Sequence, residues 1–139
     1  MIKTTEFYDH LCTKLGYRIF SGVPVKNFDY IYKYMNPAFM HYIPATSESV
    51  AVGMIVGINF GGGKGVSLID TQVFDQLYEY IKRIADLFTG NTLFITNGPV
   101  HKNIMQVQLS NEQSLVNVGE VLTTQSCCLV INKGILSDG

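Results

Sequence analysis

The sequence predicts an α/β fold: a single three-layer domain over residues 1–139, with a mostly parallel sheet carrying helices on both faces. Three observations predict it. Short apolar runs recur along the chain, as in "YRIFSG", "FMHYIP", "KGVSLID", "NTLFITNG" and "SCCLVINKG". Most are closed by Gly, Pro, Asn or Asp, the usual punctuation of buried strands. Segments of helical spacing lie between them, and crossover helices imply parallel pairing with right-handed connections.

Taken in order, "TTEFYDHLCTKLG" places Phe7, Leu11 and Leu15 on one helical face, with Thr4 or Thr5 as N-cap and Gly16 as stop. "YRIFSGVP" is a strand running into a turn at Gly22 and Pro24. A second helix is expected from about Lys26 to Tyr34, before Pro37. "FMHYIP" is the second strand. Ser47 can cap a helix from Glu48 to about Phe60, which the "GGG" of 61–63 breaks. "KGVSLID" is the third strand, and "FDQLYEYIKRIADLF" an amphipathic helix. "NTLFITNG" is the fourth strand, "NEQSLVNVGEVLT" a weaker helix and "SCCLVINKG" the closing strand.

At 139 residues the chain fits one domain, the usual range being about 100 to 200 residues. It is 47% hydrophobic and only 15% charged, against a typical charged fraction of about 25%. So dry a surface on so small a protein points to an oligomer, although a neutral exterior alone satisfies the same composition. A net charge of -1 with no basic stripe argues against nucleic acid as a partner. Cys12, Cys127 and Cys128 are odd in number and two are adjacent, so they read as reduced core residues of a cytoplasmic protein. The polar N-terminus has no signal-peptide pattern, and no apolar run approaches the ~20 residues that span a bilayer.

Several chemistries find no support. "GINFGGGKG" carries Gly-Lys at 63–64, but a phosphate loop needs Gly at position 58 and Ser or Thr at 65, where Ile58 and Gly65 stand. Its glycines also lead from helix to strand, the wrong order for presenting a helix N-terminus to an anion. His10, His41 and His101 lie on separate elements without ligand spacing, so no metal site is expected, and surface or rim positions suit them. Cys12 sits on an apolar helix face and no Gly-x-Ser-x-Gly elbow occurs. One residue stands out: Glu48, an acid at the mouth of the small, apolar run "SVAVGMIVG", on the edge where the turns "SGVP", "IPATSE" and "LIDTQ" emerge. Ligands of open parallel sheets gather along that edge.

The motifs "GVPVKNF", "IPATSESVAVGMIVG", "GGGKGVSLID" and "CCLVINKGIL", in that order, resemble the pyrimidine-binding domain of thiamine-diphosphate-dependent decarboxylases. The match is nearest to phosphonopyruvate decarboxylase and the alpha subunit of sulfopyruvate decarboxylase, and it covers almost the whole chain. The resemblance implies that Glu48 is catalytic. In the family a glutamate at this position hydrogen-bonds the N1' nitrogen of the aminopyrimidine, favouring the imino tautomer that takes the thiazolium C2 proton. It further implies that Gly22, Val23 and Pro24 help bind the cofactor. The helix macrodipole alone also favours an acid at position 48, by about 0.3 to 1 kcal/mol.

The family sets its cofactor between this domain and a diphosphate-binding domain of another chain, whose Gly-Asp-Gly motif and later Asn hold Mg2+. The terminal "SDG" of Ser137, Asp138 and Gly139 has no following Asn here. The resemblance thus implies thiamine diphosphate shared with a partner and Mg2+ held by that partner. The partner is a beta subunit, a second copy of this chain, or both, and Ala51, Gly53 and Gly57 leave room for close helix approach.

Two departures matter. Where the family reads close to Gln-Asn-Ser-Gly-Leu-Gly-Asn along its substrate loop, this chain reads "DTQVFDQ", with Val73 and Asp75 in place of the glycines. Asp70, Thr71, Gln72 and Gln76 are therefore substrate-loop candidates, together with Lys26, which could attract an anion or simply be an exposed turn lysine. The stretch from His101 to Ser126 is also short. The expected function is an alpha-type subunit of a 2-oxoacid decarboxylase, a carbon–carbon lyase only when paired, acting on an anionic substrate such as sulfopyruvate or phosphonopyruvate. The alternatives are a non-catalytic homodimeric relative with an altered substrate loop, and, more remotely, a small-molecule sensor of the same doubly wound type.

Overall fold

The computed structural model describes residues 1–87 and 91–138. The strands are β1 (Ile2–Lys3), β2 (Ile19–Gly22), β3 (His41–Pro44), β4 (Gly65–Leu68), β5 (Leu93–Thr96), β6 (Met105–Gln108), β7 (Cys127–Val130) and β8 (Leu136–Ser137). The helices are α1 (Thr4–Tyr8), α2 (Asp29–Tyr32), α3 (Glu48–Phe60), α4 (Thr71–Gln76), α5 (Tyr78–Leu87) and α6 (Glu112–Leu122). A π-helical turn, Asp9–Lys14, prolongs α1, and a 3-10 turn, Lys26–Phe28, precedes α2.

Six strands form one parallel sheet in the order β3-β2-β4-β5-β7-β6, and β1 pairs with β8 in a separate parallel ribbon. This is the α/β, three-layer arrangement that alternating strands and helices predict. The strands β4, β5 and β7 are buried at every position, as expected where both faces are covered. Residues alternate between two cores. Phe20, Val66, Leu68, Leu93, Ile95 and Cys127 face one side with Phe7, Leu11 and Leu115. Ile69, Phe94, Cys128 and Val130 join Val52, Val56, Phe74 and Ile81 of α3, α4 and α5 on the other.

The outer edge is chemically blunted. His41 N donates to Arg18 O at 2.8 Å and Ala45 N to Gly22 O at 2.9 Å, so the N–H groups of odd-numbered residues point inward to β2. The outward positions fall to Tyr42 and Pro44, and Pro44 has no N–H to offer, which limits edge-to-edge pairing. Ser47 caps α3, its Oγ accepting from Val50 N at 3.3 Å. At the far end Gly62, with φ +93°, makes the turn into β4 that an L side chain would resist.

Several expectations need correction. The N-cap of the first helix is Lys3, without a side-chain bond, and Thr4 instead lies inside the helix and donates its hydroxyl to Ser137 O at 3.1 Å. The single helix expected over "FDQLYEYIKRIADLF" is two, and the first begins earlier, because the Asp70 side chain caps it through Gln72 N. Its predicted end at Phe88 lies outside the described residues. The expected helix at 26–34 is a 3-10 turn and one short helical turn. His10 is buried, not at the rim, and contacts Glu112 at 3.2 Å. Strands and helices do not alternate throughout: β6 follows β5 without a helix, its connecting loop tied back by Gln106, which bonds Val100 N at 2.8 Å and Val100 O at 3.0 Å. Among the described residues no helix is long and apolar enough to cross a membrane.

Candidate functional site

From β2 the chain leaves towards β3 on one side of the sheet, and from β4 it leaves towards β5 on the other. The carboxyl ends of β2 and β4 therefore flank a topological switch point, where the two connections part, the position at which open parallel sheets bind ligands. Gly22 to Lys26 line one bank, Ile69 to Thr71 the other, and the start of α3 with Glu48 follows β3 beside them.

At the end of β2 the backbone is already well bonded. Tyr42 Oη donates to Gly22 O and Tyr32 Oη to Val23 O, each at 3.1 Å, with the two rings 4.8 Å apart. Burial pushes the Tyr32 phenol well above its usual range, followed by the Tyr42 hydroxyl and the charges of Asp29 and Glu48. Glu48 thus stands within electrostatic reach of Tyr32. Its side chain is half-buried in the first turn of α3 and forms no hydrogen bond or ion pair among the described residues. Gly22 has a packing role of its own. A Cβ there would lie 2.7 Å from Leu68 O, inside the β2–β4 contact.

The second bank is organised by Asp70. Its Oδ1 accepts from Asn27 Nδ2 and Asn97 Nδ2, both at 2.9 Å, and its Oδ2 from Gln72 N at 3.1 Å. Partial burial pushes its pKa up, but the bonds from Asn97, Asn27, Gln72 and Val73 outweigh that and hold the carboxyl below its ordinary value. Asn97 Oδ1 in turn accepts from Thr71 N at 3.0 Å and Thr71 Oγ1 at 2.9 Å. One carboxylate therefore laces together the loops after β2, β4 and β5. With its oxygens committed as acceptors, Asp70 is poorly placed to take a proton, whereas the Glu48 carboxylate has no such bonds among the described residues.

The other sequence-predicted residues divide by environment. Pro24, Lys26, Gln72 and Gln76 are exposed, and Lys26 has no ion pair among the described residues. "DTQVFDQ" is largely helix α4 and not an open loop, so Thr71, Gln72 and Gln76 are carried on a capped helical turn. The Asp75 carboxylate on the same helix accepts from the main-chain N of His101 at 2.9 Å and meets its Nδ1 at 2.8 Å, leaving the imidazole's other nitrogen free of that contact. Asn27, Asn97, Tyr32 and Tyr42 went unanticipated. The Asn97-Gly98 turn dipeptide at a strand end was the available signal for one of them. Among the described residues no three His, Cys, Asp or Glu side chains gather as a metal site.

No protein-family model matches the chain, and no curated protein matches it in sequence. Solved structures do resemble it. One is a 2-oxoglutarate:ferredoxin oxidoreductase from Magnetococcus marinus, with 2-oxoglutarate, coenzyme A and succinyl-CoA bound, at a TM-score of 0.63 and 12% identity. The likeness covers 93% of this chain and 28% of that one. At that identity what the two share is the fold.

Proposed function

We propose that this chain is the pyrimidine-binding half of a thiamine-diphosphate-dependent enzyme acting on a 2-oxoacid. The observation that carries the reading is Glu48, a half-buried carboxylate on the carboxyl edge of a parallel sheet with no hydrogen bond or ion pair among the described residues. A carboxylate so placed fits a ring nitrogen that can share a proton with it, as the aminopyrimidine of the cofactor requires. The motif order supports the reading, and so does a shared fold with an enzyme solved with the 2-oxoacid 2-oxoglutarate.

In this reading the cofactor supplies the carbanion chemistry. Glu48 holds the proton against the ring nitrogen, the tyrosine pair fixes the carbonyls of Gly22 and Val23, and Asp70 keeps the opposite bank in register. The diphosphate and its Mg2+ fall to a partner chain. The outward side of α3, with Val50 51% exposed and open space beside Gly57, suits that partner or a second copy. Ala51 faces inward and contributes nothing to it. The finer assignment is an alpha-type decarboxylase subunit for an anionic 2-oxoacid such as sulfopyruvate or phosphonopyruvate. The replacement of an open substrate loop by α4 favours a second reading, a homodimer that kept the fold and lost the reaction.

The test is reconstitution with a Gly-Asp-Gly-bearing partner chain, calorimetry with thiamine diphosphate and Mg2+, and turnover of 2-oxoacids. Decarboxylation that disappears in Glu48→Gln is the expected result. Equal turnover after that substitution removes the proposed role of Glu48, and absence of binding with any partner leaves the non-catalytic homodimer.

A further inference from the structure

At the opposite edge of the sheet, where β2 and β3 begin, the chain forms an open cavity of about 650 Å3. That lies within the range of small-molecule sites, roughly 300 to 1,000 Å3. Thr4, Tyr8 and Asp9 form one wall, Phe39 and Met40 another, and Arg18 stands at the approach to β2. A hydrogen bond from Tyr34 to the Asp138 carboxylate joins two of the lining segments.

Two opposite charges face this cavity without neutralising each other. The Arg18 guanidinium makes one long hydrogen bond, to Phe39 O at 3.5 Å, and no ion pair among the described residues. The Asp9 side chain makes neither a hydrogen bond nor an ion pair among them. Both charges reach the same point: the Cys12 thiol, raised chiefly by burial, is drawn down by Arg18 and pushed up by Asp9. The same lining carries apolar surface, from Phe39, 40% exposed, and from the largely buried Tyr8 and Met40. A separated cation and anion over an apolar floor complement a ligand that carries both charges and an apolar body. A simple anion would meet Arg18 but also Asp9 and Asp138, and a simple cation the reverse.

We propose that this cavity binds an amino-acid zwitterion with an aromatic or long apolar side chain. Its carboxylate lies on Arg18, its ammonium on Asp9 and its side chain against Tyr8, Phe39 and Met40. The site is separate from Glu48 and needs neither cofactor nor partner, so its test stands apart from that of the catalytic reading.

Calorimetric titration of the whole chain compares L-phenylalanine with phenylacetate, which lacks the ammonium, and phenethylamine, which lacks the carboxylate. L-Phenylalanine is expected to bind, with each analogue weaker by roughly tenfold or more, the worth of one charged hydrogen bond. Arg18→Met and Asp9→Asn, both at exposed positions, are expected to weaken L-phenylalanine by a similar factor without moving the melting midpoint. Phe39→Ala provides a third variant that leaves the charges intact and is expected to weaken binding as well. No binding of L-phenylalanine or L-leucine at millimolar concentration overturns the proposal. So does phenylacetate binding as tightly as L-phenylalanine, or affinity unchanged in all three variants.

Discussion

Asn97 donates its side-chain amide to Asp70 at 2.9 Å while its carbonyl accepts from both the backbone and the hydroxyl of Thr71. The amide is thereby read at both ends, and the loops after β4 and β5 are held in one relative position. Replacing Asp70 with Ala removes this anchor, the Asn27 bond and the cap of α4 together. A loss of about 1 to 2 kcal/mol is expected, measured by urea unfolding. The carboxyl titrates below its ordinary value in the folded chain, so the folded state binds fewer protons there than the unfolded one. Its contribution is complete above about pH 4 and is lost as pH falls through the folded-state pKa, so the difference between wild type and Asp70→Ala should shrink in acid.

Gly22→Ala is expected to destabilise the fold and not merely to weaken a ligand. The added methyl would meet Leu68 O at 2.7 Å and Leu68 Cβ at 3.0 Å, and neither atom can move without shifting β4. Overpacking of this kind costs about 1 to 3 kcal/mol. A lowered denaturation midpoint in the absence of any ligand would confirm it; an unchanged midpoint would show that the strands yield.

Ser67→Ala should be neutral or mildly stabilising, within about 1 kcal/mol of wild type. The hydroxyl is fully buried in β4 beside Ser21 and Phe94 and has no hydrogen-bond partner among the described residues. Removing an unpaired polar atom relieves a desolvation cost and leaves only a small void. Destabilisation well beyond that margin would mean the hydroxyl has a partner in solution.

The thiols link stability to alkaline pH. Burial pushes Cys12 and Cys128 up to about 11 and Cys127 to about 12. The folded state therefore retains protons that the unfolded chain releases from about pH 8.5. Stability should hold below that value and decline as pH rises towards the folded-state values. A Cys128→Ser variant, with a hydroxyl that does not ionise in this range, should decline less steeply in thermal melts across the same window. In the native protein all three thiols should resist alkylation at neutral pH and react on unfolding.

The parts of the fold that could be read from the sequence are those whose signal is local. Buried runs such as "GVSL" and "CCLV" are apolar at nearly every position, and Ser47 before the apolar helix 48–60 is a cap by chemistry alone. The strand β6, "MQVQ", was missed because an exposed edge strand with two glutamines carries little apolar signal. Two-residue strands such as β1 and β8 carry none, since their pairing depends on residues far apart in the chain. At the site, Glu48 is conspicuous as an acid on an apolar helix. The Asp70 network is not, because Asn27 and Asn97 are 43 and 27 residues from the carboxylate they bind. Asp70 could still have been read as a helix cap, and that reading would have shown "DTQVFDQ" to be a helix and not a loop.

The ribbon formed by β1 and β8 sets an order of events. Ile2 pairs with Leu136, and Lys3 with Ser137. On the ribosome the first strand has no partner until residues 136 and 137 have been made, so this contact closes after the six strands of the central sheet exist. The Thr4 hydroxyl bond to Ser137 and the Tyr34–Asp138 bond across the cavity wait for the same moment. The ribbon is thus a latch between early and late segments: a chain interrupted before residue 136 has every strand of the central sheet but leaves β1 unpaired.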